Sequence, residues 1–251
     1  YKLVRNKIRF KFGGHLKAMV SGGAPLNPDV GIFFTALGIP ILQGYGQTET
    51  APLISANLPS NARMDTVGPP VTGTEVKIAS DGEILVRGDL VMQGYWNNSK
   101  ATSEVIRNGW IHTGDIGVIL ENGHLKITDR KKDIIVNSGG DNISPQRIES
   151  LLTLKPEILQ AAVFGDNKPY LAALIVPDGA YMKTNSKDSR ATLKEIIDQV
   201  NEQLSSIEKV KRFAIIDEPF SIENKQMTPT MKVRRHIVKD LYSVQIKKMF
   251  R

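Results

Sequence analysis

The chain has 251 residues, a formal net charge of +7 and 41% hydrophobic residues, enough for one large domain or two small ones with a real core rather than a disordered polymer. It has no cysteine, which excludes a disulfide framework, a thiolate nucleophile and a cysteine metal centre. Its four histidines, His15, His112, His124 and His236, are too scattered for a helical ligand pair, so metal chemistry would have to use carboxylates and phosphates. No uncharged apolar run reaches the roughly 18 residues of a membrane span, and residues 1–10 have no apolar signal core; the expectation is a cytoplasmic protein, with peripheral contact at an inner membrane face left open. Basic residues cluster at Arg130-Lys131-Lys132, at 209–212, at 232–235 and at Lys247-Lys248, without the interleaved aromatics of a nucleic-acid platform. Starting on Tyr1 within a segment already rich in local structure, the chain reads as a piece of a longer protein.

Residues 16–20 predict a short strand running into the turn Ser21-Gly22-Gly23-Ala24-Pro25. A helix follows, then a strand at 39–42 that ends at Gln43-Gly44-Tyr45-Gly46. Both glycine-rich turns thus fall at strand ends, where α/β sheets place ligands. Residues 66–128 alternate over short stretches: 74–78 and 83–87 flank Ser80-Asp81-Gly82, and 117–120 and 124–128 flank Glu121-Asn122-Gly123, whose Asn-Gly pair favours a tight hairpin. This predicts a β-barrel-like subdomain. Further on, Ser144-Pro145 supplies an N-cap and an N1 proline for a helix with Ile148, Leu151 and Leu152 on one face. The apolar runs 161–164 and 171–176 read as paired strands, and Thr192-Leu193-Lys194-Glu195 as a capping box. The predicted class is α/β for the first part and α+β for the second, with domains at 1–129 and 130–251 and the junction in the charged stretch 128–133.

The string Gln43-Gly44-Tyr45-Gly46-Gln47-Thr48-Glu49 has a nucleotide-shaped logic. Glycines flanking a tyrosine let a flat ligand lie on the ring, while a hydroxyl and a carboxylate just beyond can meet a phosphate and its Mg²⁺. Further strings follow in order: Gly82-Glu83-Ile84, Gly94-Tyr95-Trp96, Trp110-Ile111-His112-Thr113-Gly114-Asp115, Asp129-Arg130-Lys131-Lys132-Asp133, Asn137-Ser138-Gly139-Gly140, and Thr228-Pro229-Thr230-Met231-Lys232-Val233-Arg234-Arg235. With these strings the sequence resembles the adenylate-forming superfamily of acyl-CoA synthetases, luciferases and peptide-synthetase adenylation domains, over nearly its whole length. The Thr-Pro-Thr-Met-Lys form resembles the long-chain fatty acyl branch.

The resemblance implies an AMP/ATP site built from Gly22, Gly23, Ala24, Pro25, Gln43, Gly44, Tyr45, Gly46, Thr48, Asp115, Ile127 and Arg130. In it Thr48 meets the α-phosphate, Glu49 holds Mg²⁺, Asp115, in a turn after a strand, accepts the ribose hydroxyls, and Arg130 meets the ribose from the other side. Lys232 is implied as the catalytic lysine of adenylation, Lys132 as the hinge of a small mobile domain, and Ser138, Gly139 and Gly140 as the loop along which coenzyme A passes. Where the family usually has glycine before that lysine, this chain has Met231. The implied reaction activates a long-chain fatty acid with ATP and transfers the acyl group to CoA; nucleic acid is not an expected partner. The serine-, threonine- and glycine-rich phosphate loop of the family is expected upstream of Tyr1, so this segment alone is expected to be inactive. Two other readings stay open: a ligase that loads an acyl-carrier protein, and a non-catalytic nucleotide-binding paralogue.

Overall fold

In the computed structural model, which describes residues 2–185, 188–229 and 231–251, the chain divides into two units, residues 1–131 and 132–251. The first unit opens with α1 (Lys2–Lys11) and β1 (Met19–Ser21). The Asn27 side chain accepts the Asp29 N–H to cap α2 (Pro28–Ala36), and Pro28 sits where a missing N–H costs nothing. Next, β2 (Ile41–Tyr45) runs parallel to β1, with Ser21 opposite Gln43. After a 3₁₀ turn at Thr48–Thr50 the chain returns as β3 (Ser55–Ala56), antiparallel to β2.

A second sheet follows from β4 (Thr74–Ile78), β5 (Glu83–Gly88), β6 (Ile106–Arg107), β7 (Trp110–Ile119) and β8 (Leu125–Arg130), with α3 (Ser99–Val105) before β6. All its pairings are antiparallel, in the order β4-β5-β7-β6, and β8 shares the far edge of β7 with the two-residue β6. Among the described residues no strand pairs back to β4, so the expected barrel-like subdomain is an open sheet: the far edge of β7 is used up by two short strands placed end to end. Tyr45 and Ile54 from the first sheet region pack with Ile84, Val86, Ile111 and Leu125 in one core.

The second unit begins with a small hairpin of β9 (Ile135–Val136) and β10 (Asn142–Ile143). Ser144 then caps α4 (Pro145–Thr153), as the Ser-Pro pair predicts. The remaining elements are β11 (Ile158–Phe164), β12 (Leu171–Pro177), α5 (Gly179–Asn185), α6 (Ser189–Asn201), β13 (Val210–Ile215), α7 (Arg235–Leu241) and α8 (Ser243–Met249). The central strand is β12, antiparallel to β11 and parallel to β13. Its Leu171, Ala173 and Ile175 meet Ile148, Leu152, Leu193 and Ile197 on one face; Ala172, Leu174 and Val176 meet Phe220, Val238, Ile246 and Met249 on the other. A strand covered on both faces reads as an unbroken apolar run.

One helix start differs from expectation. Asp188 caps α6 by accepting the N–H groups of Arg190 and Ala191, and the Thr192 hydroxyl bonds back to the Asp188 carbonyl from inside the first turn. The aspartate lies upstream and satisfies the free N–H groups first, so Thr192 opens nothing.

Leu174 is fully buried. Truncation by Leu174→Ala is expected to destabilise the second unit by about 2–5 kcal/mol. Both tryptophans, Trp96 and Trp110, lie in the first unit. Denaturation followed by circular dichroism should therefore show the loss, while the tryptophan-fluorescence midpoint stays in place.

Candidate functional site

The site in the first unit is made by a defect in the sheet. Leu85 pairs with His112 and Glu83 with Ile116, so β5 advances two residues where β7 advances four. The surplus forms a bulge carrying Thr113, Gly114 and Asp115, a device that re-aims a side chain. Thr113 Oγ1 stabilises it by donating to the Ile84 carbonyl at 2.8 Å and accepting the Asp115 N–H at 3.1 Å. Gly114 has φ +71°, where a side chain would be strained. Asp115 was expected in a turn after a strand; it lies instead within β7, opposite Arg130 on β8.

The bulge brings three predicted residues together. Tyr45 Oη donates to Asp115 Oδ2 at 2.7 Å, and Arg130 Nε donates to Asp115 Oδ1 at 2.9 Å. Asp115 is 5% exposed and Tyr45 8%, whereas the Arg130 side chain is half exposed. Burial, helped by the neighbouring Asp115 charge, pushes the Tyr45 hydroxyl far above the usual phenol range, so it stays a donor. Because the unit boundary falls after Lys131, Arg130 belongs to the same unit as Asp115 and Tyr45.

The expected Gly-Tyr-Gly turn is mostly strand: Gly44 pairs with Ala56 and Tyr45 with Ser55. Gly22 lies close enough to this strand that a Cβ on it would stand 3.3 Å from the Gly44 carbonyl oxygen. The loop of Gly23, Ala24 and Pro25 continues from there. Gly46 has no room for a side chain, since a Cβ would fall 1.7 Å from the Pro52 carbonyl oxygen. The Gln43 side chain is engaged with the protein itself, its amide donating to the carbonyls of Met64 at 2.7 Å and Thr66 at 3.3 Å. Thr48 is exposed at the start of the 3₁₀ turn. Beside it, Glu49 Oε1 accepts the Tyr95 hydroxyl at 2.7 Å, which raises the Tyr95 pKa. Ile127 is half-buried against the core that holds Tyr45.

The second unit holds the other predicted residues. Lys132 is its first residue and is exposed. Ser138, Gly139 and Gly140 form the exposed tip between β9 and β10, where Asn137 Oδ1 accepts the N–H groups of Gly139 and Asp141 at 2.9 Å each. Lys232 follows a tight turn: its N–H donates to Thr228 Oγ1 at 3.0 Å and its carbonyl accepts the Thr228 N–H at 2.8 Å. Thr230 of that motif lies outside the described residues.

Sequence reasoning gave no role to Glu83, Tyr95 or Lys131, although all three lie in the quoted strings. For Glu83 a signal existed: a carboxylate opening a strand otherwise rich in apolar residues, and buried with them.

Replacing Tyr45 by Phe leaves the buried Asp115 carboxylate short of a donor and should cost about 1–3 kcal/mol in the first unit, read as a fall in the fluorescence-detected denaturation midpoint. A pH dependence follows from Glu83. Burial pushes its carboxyl up, but hydrogen bonds from His112, Lys131 and Gly114 together pull it lower, and the net direction is down from 4.5. A carboxylate depressed in the folded state contributes stability that is complete above its unfolded pKa and is lost as pH falls through the folded one. The first unit's melting temperature is therefore expected to drop below about pH 4.5, and to drop less steeply in Glu83→Gln.

Comparison with known proteins matches residues 2–96 to the AMP-binding enzyme family and residues 132–251 to the AMP-binding enzyme C-terminal domain. Among curated relatives, long-chain-fatty-acid--CoA ligase FadD15 of Mycobacterium bovis is 38% identical over 99% of this chain and 44% of its own length. Long-chain-fatty-acid--CoA ligase 5 of Rattus norvegicus is 35% identical over 99% and 41% respectively. The chain thus spans less than half the length of these relatives. Among solved structures, the A domain of carboxylic acid reductase from Segniliparus rugosus, in complex with AMP and a co-purified carboxylic acid, shares the fold at TM-score 0.82 and 24% identity, over 99% of this chain and 42% of that one. O-succinylbenzoate coenzyme A synthetase of Bacillus subtilis, in complex with ATP and magnesium ion, matches at TM-score 0.72 and 29% identity, over 88% and 46%. The two family matches, in the order of the two units and joined to the ordered strings, identify the chain as part of an AMP-binding enzyme of the adenylate-forming superfamily.

Proposed function

We propose that this chain supplies the nucleotide-sugar site and the small C-terminal domain of an AMP-forming long-chain fatty acid–CoA ligase. In the first half-reaction the fatty carboxylate attacks the α-phosphorus of ATP, giving acyl-adenylate and pyrophosphate; in the second the CoA thiol displaces AMP and leaves a thioester. The observation that carries the reading is the Tyr45–Asp115–Arg130 cluster. A carboxylate offers about four acceptor directions. Here Tyr45 and Arg130 occupy two, which leaves acceptors for two ribose hydroxyls. Tyr45 and the side-chain-free approach at Gly44 and Gly22 fit a flat base nearby.

Glu49, already oriented by Tyr95, fits a hard cation, and Mg²⁺ bound there would neutralise phosphate charge. Thr48 is exposed beside it and can donate to the α-phosphate. Lys232 supplies a mobile positive charge where negative charge gathers as carboxylate meets phosphorus. The loop at Ser138, Gly139 and Gly140 fits the passage of a thin pantetheine arm, since glycine leaves the backbone bare. The names of the relatives at 35–38% identity support CoA as the acceptor and a long-chain acid as the substrate.

The test is Lys232→Ala in the full-length protein that contains this segment. Acyl-adenylate formation, read by pyrophosphate exchange with a long-chain acid, should fall about 100-fold or more, while thioester formation from supplied acyl-adenylate survives. Equal loss of both half-reactions would remove the role given to Lys232.

A further inference from the structure

Glu83 is 5% exposed and opens β5 among apolar neighbours, yet both its oxygens are spent on one small region. Oε1 accepts the Gly114 N–H at 2.9 Å. Oε2 lies 3.0 Å from His112 Nδ1 and accepts from Lys131 Nζ at 3.0 Å. Lys131 Nζ also reaches Asp81 Oδ2 at 2.6 Å, and Asp81 Oδ1 accepts the Glu83 N–H at 3.1 Å. The Lys131 N–H closes the ring by donating to the Gly114 carbonyl at 2.9 Å. Gly114 is therefore held from both sides, its N–H by Glu83 and its carbonyl by Lys131.

The residues on either side of these anchors are the ones that meet across the strands. Asp115 follows Gly114, Arg130 precedes Lys131, and the two are register partners. Packing alone does not call for a carboxylate here. A buried charge is costly to desolvate, and an aliphatic residue would fill the same core position without that cost. What the carboxylate adds is a common anchor for the bulge and for the last residue of the first unit.

We propose that Glu83 is a positioning residue for the nucleotide-sugar site: it fixes the Thr113–Asp115 bulge so that Asp115 faces Tyr45 and Arg130, and through Lys131 it ties the end of the first unit to the same point. The inference rests on the reading that Asp115 binds the sugar. Lys132, one residue later, is exposed, and among the described residues its side chain makes no ion pair.

The experiment uses the full-length protein that contains this segment, titrated by calorimetry with AMP and with 2′,3′-dideoxy-AMP, which lacks the hydroxyls Asp115 would accept. Glu83→Leu removes every acceptor. It should cut the preference for AMP about tenfold while leaving affinity for the dideoxy nucleotide within about twofold of the unmodified chain. Glu83→Gln keeps an oxygen for the Gly114 N–H and should restore most of the preference; Lys131→Met should fall between. Amide exchange provides a readout independent of binding: Gly114 and Lys131 should exchange about tenfold faster in Glu83→Leu, with Lys77 and Val86 of the same sheet unchanged. An undiminished AMP preference in Glu83→Leu, equal loss of affinity for both nucleotides, or uniform acceleration across the sheet would each overturn the proposal. If Asp115→Ala, or the unmodified chain, shows no hydroxyl preference, the sugar reading fails instead, and localised acceleration at Gly114 and Lys131 then stands or falls as evidence for the anchored bulge alone.

Discussion

A carboxylate withdrawn from water has to be met by donors, and Asp115 sets that demand for the first unit. It is satisfied by a phenol from β2 and a guanidinium from β8, elements far apart in sequence. Meeting it requires β7 to abandon its register for a few residues. Once the bulge exists, the N–H and carbonyl groups it takes out of the ladder need partners of their own, because buried backbone polar groups left unpaired cost about as much as a lost hydrogen bond. Thr113, Glu83 and Lys131 are those partners. The aspartate, the bulge and the ion-pair cluster at the end of the unit are thus successive consequences of one burial.

The second unit meets a similar demand around a different pair. Arg235 forks onto Glu149 at 2.8 and 3.0 Å, Glu149 Oε1 accepts the Val163 N–H at 2.6 Å, and Arg235 Nη1 donates to the Val163 carbonyl at 2.7 Å. Three elements, α4, β11 and the start of α7, are joined at one point. A largely buried ion pair is weak evidence for net stability, since desolvation offsets most of its attraction, but its fixed fork specifies geometry. Lys232 lies three residues before Arg235, so the segment that presents the lysine is tied to the sheet immediately downstream.

Much of this was legible in the sequence, and the reasons divide cleanly. Patterns that act locally translated well: Ser144-Pro145 caps α4, Asn122-Gly123 turns between β7 and β8, and the unbroken run of β12 signals burial on both faces. Tyr45, Asp115 and Arg130, singled out by the family resemblance, meet in the fold, where Tyr45 and Arg130 both donate to the Asp115 carboxylate. What did not translate depends on register. Period-two alternation over 66–128 carries no information on whether a sheet closes, and the division of β7's edge between β6 and β8 is a tertiary outcome. The bulge that moves Asp115 from a turn into a strand is set by partners on β5 and β8, which no local window contains. Gln43 belongs to a string that reads as ligand-facing, and its amide is taken up by the carbonyls of Met64 and Thr66, partners 21 and 23 residues away. Thr192 failed as a cap because Asp188 stands nearer the free N–H groups.

Met231 shows how a departure in residue type can leave a turn intact. Its φ is +61°, a left-handed conformation that glycine adopts freely and that costs an ordinary residue about 1 kcal/mol or slightly more. That cost is opposed on the spot. The Met231 N–H donates to the Thr228 carbonyl at 2.9 Å, the Lys232 N–H to Thr228 Oγ1 at 3.0 Å, and the Thr228 N–H to the Lys232 carbonyl at 2.8 Å, while Met227 and Val233 form a bridge outside them. A side chain at this position also has fewer unfolded conformations to lose than glycine would. The methionine side chain points into solvent, 63% exposed, so the substitution adds no packing conflict. The turn before Lys232 therefore keeps the shape a glycine would allow, held by its own hydrogen bonds rather than by backbone freedom.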